Sequence, residues 1–346
     1  MDRQLILDLP ELEPMIEQSK IEENRALQRS RPLSEKIEES KRILRLAAQM
    51  SREYYGEPLI VNYSGGKDSD VMLHIAESCL SNDEYEVQNS HTSVDYPPTV
   101  KHIREVFKRL NDKGVKATVN YPKDDDGNHI TMWNLILKKK MPPHRHLRYC
   151  CEVLKESSTP NRMCAIGVRE DESKNRQNRD IFALETAKYK MNYYSFDHAD
   201  EVHRESQEIN DPNWDCNLIK GMKEHGNVLV NPIYYFTEKD IWDYVEQFKI
   251  PMNPIYKLGY KRAGCVGCPM SAYKQIMREF SDFPTYKQAY ISAFDRMLEA
   301  RKADGKDDVT GKEGWHRWET GEDVFNWWVR EGKKNCKDQM TLFDEE

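Results

Sequence analysis

The sequence nowhere holds about 18 apolar residues in a row, the length a membrane-spanning helix needs. Its first ten residues, Met-Asp-Arg-Gln-Leu-Ile-Leu-Asp-Leu-Pro, lack the basic start and long apolar stretch of a secretory signal. These absences exclude a helical membrane protein and point to a cytoplasmic chain with no membrane partner. There is no internal repeat and no low-complexity tract. The spacing Gly-x-x-x-x-Gly-Lys-Ser/Thr is also missing, so no Walker A loop is present. Cysteine is sparse and unevenly spaced, with 8 in 346 residues, and in a cytoplasmic setting these do not read as disulfides.

The chain is long enough for one large domain or two modest ones. Charged residues make up 32% of it, and the mean hydropathy is -0.86, so it reads as very soluble. Lys plus Arg number 52 against 59 Asp plus Glu, a net charge of -7. That balance argues against a generic nucleic-acid coat but leaves room for a local basic groove. Lys138-Lys139-Lys140 with His144-Arg145-His146 and Arg148 would supply one, the alternative being a plain solvated surface.

Hydrophobic periodicity divides the chain into a helical extension over 1–50, an α/β region over 51–250 and a cysteine-bearing helical region over 251–346. From Ser34 an amphipathic helix is expected, with Ser34 as a possible cap. Leu59 to Tyr63 reads as a buried strand, and Asp70 to Leu80 as the helix after it. Further strands are expected at 86–91, 115–121, 163–168 and 228–230, with a helix over 99–110. The alternation implies a doubly wound, mostly parallel five-stranded sheet with right-handed crossovers. Beyond Pro251, Tyr273, Phe280, Phe283, Tyr286, Tyr290 and Phe294 are expected to anchor helices. The aromatic C-terminus (Trp315, Trp318, Phe325, Trp327, Trp328) reads more readily as packing than as a base-stacking surface.

Between the first strand and its helix lies Ser64-Gly65-Gly66-Lys67-Asp68-Ser69. Glycine permits positive φ and lets backbone N–H groups approach an anion. The helix that follows offers free N–H groups and the positive end of its dipole. Lys67 adds a positive charge, and Ser64 and Ser69 add hydroxyls. Asp68 suits such a loop only if it orients Lys67 or helps hold a divalent cation. The plainer alternative is a glycine-rich surface turn. Cys150-Cys151 and, far downstream, Cys265-Val-Gly-Cys268 form a second constellation. Four thiolates suit zinc or an iron–sulfur cluster. Adjacent cysteines seldom converge on one small ion, and the alternative is simply buried thiols.

Ser-Gly-Gly-Lys-Asp-Ser followed by Val71-Met72-Leu73-His74 resembles the PP-loop of N-type ATP pyrophosphatases, especially the small subunit of ATP sulfurylase. Gly167-Val168-Arg169-Glu170-Asp171-Glu172-Ser173 with Arg176, Asn231-Pro232-Ile233 through Thr237-Glu238-Lys239-Asp240-Ile241-Trp242, and Pro251-Met252-Asn253-Pro254-Ile255-Tyr256 with Gly259-Tyr260 resemble consecutive segments of PAPS and APS reductases. The cysteine pattern is similar to that of APS reductases and of the iron–sulfur ATPase component of DNA phosphorothioation systems.

The resemblance implies an adenine nucleotide alpha hydrolase-like fold. It implies ATP (or PAPS/APS) held by Ser64, Gly65, Gly66, Lys67, Asp68, Ser69, Gly167 and Arg262, with Mg2+. Lys67, Asp68, Arg169 and Arg176 would be catalytic, the arginines meeting sulfonyl or phosphate groups. A [4Fe-4S] cluster would sit on Cys150, Cys151, Cys265 and Cys268. As partners it suggests a sulfur-donor protein such as a cysteine desulfurase, nucleic acid, or a second copy of the chain in a homo-oligomer. The C-terminal Glu-Cys-Gly-Leu-His of sulfonucleotide reductases is absent, and the tail carries Cys336 instead. The favoured expectation is therefore ATP cleavage between the α and β phosphates to activate a substrate for sulfur transfer. The alternatives are a sulfonucleotide reductase releasing sulfite and a nucleotide-gated binding module with a structural cluster.

Overall fold

The computed structural model of the protein describes residues 18–145, 147–155, 161–172, 176, 181–185, 227–306 and 318–340. A six-stranded sheet has the order β3-β2-β1-β4-β6-β5, from β1 (Leu59–Asn62), β2 (Tyr85–Ser90), β3 (Ala117–Asn120), β4 (Met163–Ala165), β5 (Phe182–Glu185) and β6 (Asn227–Val230). β1 pairs parallel with β4, β4 with β6, and β2 with β3. Leu59 N–H and Tyr63 N–H donate to the carbonyls of Glu84 and Gln88. Partners that advance together by four residues are the mark of a parallel pair. The five expected strands are thus the five parallel ones. The sixth, β5, runs antiparallel on the edge beside β6 and was not foreseen in the sequence.

The chain divides into two compact units. The first comprises Met1–Asn62, Asp68–Glu86 and Asn161–Ile250. In it α1 (Gln18–Ser30) is followed by α2 (Leu33–Tyr55). α2 buries Ile37, Ile43, Leu44, Ala47 and Ala48, one apolar stripe at helical spacing. The expected Ser34 cap is not formed. Pro32 stands at the cap with no side-chain hydrogen bond, and Ser34 lies inside the first turn. Proline needs no N–H of its own there, and its extended ψ of 147° aims the chain into the helix. Gly56 closes α2 at φ 68°, its N–H donating to Arg52 O. α3 (Lys67–Cys79) opens three residues earlier than expected, at the lysine of the loop. α7 (Glu238–Phe248) is capped by Thr237, which forms a reciprocal capping box with Asp240.

The second unit comprises Tyr63–Lys67, Val87–Pro160 and Pro251–Glu346. Its helices are α4 (Pro97–Asp112), α5 (Met132–Lys139), α6 (Tyr149–Leu154), α8 (Tyr273–Asp282), α9 (Pro284–Ala303) and α10 (Gly321–Met340). Phe280, Tyr290, Phe294, Phe325 and Trp328 gather in one apolar cluster with Trp318. Tyr290 and Trp328 ring centroids are 4.7 Å apart. The C-terminal aromatics that fall among the described residues are therefore packing residues; Trp315 lies outside them. Among the described residues no helix is long and apolar enough to cross a membrane.

Candidate nucleotide site and cysteine cluster

The loop after β1 is built to a geometry that only glycine permits. Tyr63 is 1% exposed and fixes the strand exit: its carbonyl accepts from Asn89 Nδ2 at 2.8 Å, and its hydroxyl meets His102 Nε2 at 2.9 Å. Gly65 has φ +70°, and a Cβ there would stand 2.8 Å from Ile103 Cγ1 and 3.1 Å from Thr99 Cγ2. Asn253, fully buried, donates to Gly65 O at 2.7 Å and to Thr99 Oγ1 at 2.9 Å. Lys67 N–H, at the start of α3, donates to Tyr256 Oη at 2.7 Å. Gly66 N–H donates to Ser64 Oγ at 3.4 Å. Lys67 and Ser69 are buried, at 4% and 3% exposure. Thr99, Asn253 and Tyr256 brace the loop yet carry no site role in the sequence reading. The signal was present, since Pro251-Met-Asn-Pro-Ile-Tyr was already a recognisable segment.

Within the first unit the other expected site residues fall into different roles. Gly167 brings the turn after β4 against the start of α3: a Cβ on it would meet Asp68 C and Ser69 N at 3.2 Å. Backbone cannot yield as a side chain can, so glycine is needed for this close approach. Arg169 is 2% exposed and engaged by carboxylates. Its Nε donates to Asp68 Oδ1 at 2.6 Å, its Nη2 to Glu238 Oε2 at 2.7 Å, and Asp171 lies 3.6 Å from Nη1. Asp68 thus pairs with Arg169, a counterion within the first unit. Arg176 pairs with Glu172, and its carbonyl accepts from Tyr234 Oη at 3.1 Å. Arg262, in the second unit, is exposed.

The cysteines lie in the second unit on two supports. Cys150 and Cys151 open α6. Cys265 and Cys268 flank a turn in which Gly267 has φ +71°. A Cβ on Gly267 would lie 2.7 Å from Phe280 Cζ. Its N–H donates to the buried Glu279 at 2.7 Å, and Tyr96 Oη donates to the same carboxylate at 2.6 Å. The turn is also pinned by Val266 N–H to Val94 O at 2.7 Å and Tyr290 Oη to Val266 O at 3.1 Å. Cys265 Sγ lies 3.5 Å from Thr92 Oγ1 and 4.0 Å from Asp95 Oδ1, so Asp95 belongs to the cysteine surroundings.

The thiols act on one another electrostatically. The Cys150 hydrogen bond holds Cys151 down at about 5, against burial and helped by Arg148 and Lys155; Arg148 Nη2 is 3.3 Å from its sulfur. Cys150 is pushed up by the same bond, then by burial and by charge on Cys151, Cys265 and Cys268. Burial pushes Cys265 up to about 11, partly offset by Lys155. The charge of Cys265 raises Lys155 in return, with Asp95, Cys151 and Cys268 adding to it. The four cysteines therefore share one neighbourhood. Among the described residues, however, no three His, Cys, Asp or Glu side chains are drawn into a metal-ligand group.

The basic cluster beside them is largely engaged within the protein. Lys140 pairs with Asp304, Arg145 Nε donates to Pro269 O at 3.2 Å, and Lys139 Nζ lies 5.9 Å from the centre of the Tyr149 ring. His146 lies outside the described residues, as do Ser173 and the side chain of Cys336.

A family model, the phosphoadenosine phosphosulfate reductase domain, matches residues 58–271. An uncharacterised protein of Methanocaldococcus jannaschii is 25% identical over 236 residues, covering 65% of this chain. The chain spans only 39% of that relative's length. The adenosine 5'-phosphosulfate reductase of Anoxybacillus flavithermus is 20% identical over 231 residues, 64% of this chain and 77% of that enzyme. Among solved structures, the phosphoadenylyl-sulfate reductase of Candida auris in its phosphate complex gives a TM-score of 0.42 at 13% identity, covering 72% of this chain and 96% of that one. The U34-tRNA thiolase of Methanococcus maripaludis with its [4Fe-4S] cluster gives 0.36 at 12% identity, covering 75% of this chain and 79% of that one. With the matched residues running from β1 through the loop, the Arg169 turn and Asn253 to the Cys265–Cys268 turn, the chain belongs to the phosphoadenosine phosphosulfate reductase domain family.

Proposed function

We propose that the chain binds an adenine nucleotide at Ser64–Ser69 and cleaves ATP between its α and β phosphates to activate a substrate for sulfur transfer. The observation that carries this reading is the left-handed turn at Gly65, locked by Asn253 and followed after Gly66 by Lys67 at the start of a helix. The helix that begins at Lys67 aims the positive end of its dipole at this loop, which favours an anion there. Lys67 would add its ammonium to the pyrophosphate portion. An acceptor oxygen or sulfur would attack the α phosphorus as the bond to the bridging oxygen breaks and pyrophosphate leaves with that electron pair. Backbone donors and Lys67 would meet the charge that grows on the leaving group. Asp68, now paired with Arg169, is the loop carboxylate that would hold magnesium, which would offset phosphate charge.

Cys150, Cys151, Cys265 and Cys268 are the residues that would hold a [4Fe-4S] cluster. Their donor chemistry fits: four soft sulfur ligands lie within electrostatic reach of one another, with Arg148 and Lys155 to offset the thiolate charge. A cluster there would supply one-electron chemistry or a binding point for sulfur.

The second reading is a sulfonucleotide reductase, supported by the similarity to the Anoxybacillus enzyme over most of that enzyme's length. One experiment separates them. Anaerobically purified protein is given ATP, magnesium and candidate acceptors, and in parallel adenylyl sulfate or PAPS with a dithiol. AMP and pyrophosphate from ATP support the first reading. Sulfite from the sulfonucleotide, abolished by Cys336→Ser, supports the second. Nucleotide binding without any product leaves a binding module.

A further inference from the structure

We infer that the N-terminal helix α1 is a positioning element of the nucleotide loop, acting on Asp68 through two polar routes that converge on Arg169. The inference rests on the reading that this loop holds the nucleotide. All the residues concerned lie in the first unit.

The first route runs through Glu170, which is 2% exposed. Arg29 Nη1 lies 3.3 Å from its Oε2, and Arg25 Nε lies 3.8 Å from its Oε1. Glu170 N–H donates to Tyr234 O at 2.9 Å. Burial pushes the Glu170 carboxyl up, and the charges of Arg29 and Arg25 work against that push. Glu170 thus faces α1, while the residue before it, Arg169, faces Asp68 at 2.6 Å.

The second route leaves α1 through its backbone. Arg29 O accepts from Lys36 Nζ at 2.6 Å. The same ammonium, buried beneath α2, lies 2.6 Å from Asp240 Oδ2. Asp240 accepts from Thr237 N–H at 2.8 Å and so sets the first turn of α7. Glu238, in that turn, accepts from Arg169 Nη2 at 2.7 Å. The first route therefore reaches Arg169 through its chain neighbour Glu170, and the second reaches its guanidinium through Glu238.

The composition of α1 gives this arrangement its meaning. None of its described side chains is buried, and Leu27 is 62% exposed. The described part of the helix is held by its charges, and such contacts weaken with salt. It also precedes the family match at 58–271, so the family domain alone does not supply it. Loss of these charged contacts would release one constraint on Arg169 without removing a buried side chain from the described part of α1.

The test uses the full chain and two measurements. Hydrogen exchange is followed on the nucleotide-free protein, at the amides of Asp68 to Val71. Affinity for a non-hydrolysable ATP analogue is measured separately. The variants are Glu170→Gln, which keeps the shape and removes the charge, and Arg29→Ala, with Arg29→Lys as the conservative rescue; thermal unfolding confirms that each is folded. The expected result is exchange about tenfold faster in Glu170→Gln and Arg29→Ala, as local opening energies of loops permit, with Arg29→Lys close to wild type. Molar salt should reproduce the effect in wild type and add little to Glu170→Gln. Exchange within about twofold of wild type in both variants overturns the inference, and the nucleotide reading then stands if the analogue still binds. Faster exchange in a protein that binds no analogue upholds the coupling and overturns the nucleotide reading.

Discussion

Replacing Gly65 by alanine tests the loop at its most constrained point. Two separate costs follow from the coordinates. A residue with a Cβ at φ +70° pays for the left-handed backbone, about 1–2 kcal/mol. The new Cβ would also stand 2.8 Å from Ile103 Cγ1 and 3.1 Å from Thr99 Cγ2, both on buried residues of α4. Overpacking of that kind costs about 1–3 kcal/mol, so the whole loss is about 2–5 kcal/mol. Gly56 is the internal control, since its φ is +68° and nothing lies within 4 Å of its added Cβ. Gly56→Ala should therefore lose only the backbone share, about 1–2 kcal/mol. Urea unfolding of both variants, compared at unchanged slope, reads the difference. Adding Ile103→Ala to Gly65→Ala should recover part of the steric share as a favourable coupling. Equal losses for the two glycines, or no coupling with Ile103, would refute the claim that the loop is held by contact with α4. The nucleotide reading adds that Gly65→Ala loses affinity for ATP while Gly56→Ala keeps it.

Three further outcomes are expected. Lys67→Ala should weaken ATP binding at least tenfold, as removal of a charged hydrogen-bond donor of about 1.5–3 kcal/mol implies, and isothermal titration checks it. Asp240 is pushed up by burial, yet the Lys36 hydrogen bond, the Thr237 N–H and hydroxyl bonds and the Lys36 charge hold it below the ordinary aspartate value. Its stabilising share is thus complete above the unfolded value of about 3.9 and lost as pH falls through the lower folded value; the stability gap between wild type and Asp240→Asn, from urea melts across acid pH, should close there. Cys265→Ser should lower the iron and acid-labile sulfide content of anaerobically purified protein, whereas full retention would remove that cysteine from the cluster.

Local chemistry was legible in the sequence wherever it repeats along the chain. Five strands, the α2 and α3 helices and the Thr237 capping box follow from hydrophobic period and side-chain hydrogen bonding between near neighbours. The loop was legible because consecutive residues carry it, and the cysteines because their spacing is distinctive. What the tertiary structure decided were the partners, which no periodicity encodes. Arg169 was legible only as a charged residue in a recognisable segment; that Asp68, Asp171 and Glu238 surround it was decided by folding. Asn253 and Tyr256 are far from the loop in sequence and reach it only because the fold returns residues 253–256 to Gly65 and Lys67. β5, Phe182–Glu185, joins the sheet only by antiparallel pairing to β6, a long-range choice that no local pattern encodes. The lysines and arginines at 138–148 read equally as a basic groove or a solvated surface, and folding sets Lys140, Arg145 and Lys139 against Asp304, Pro269 and Tyr149. A residue's chemistry is written in its side chain, but its counter-charge is chosen by the long-range contacts of the folded chain.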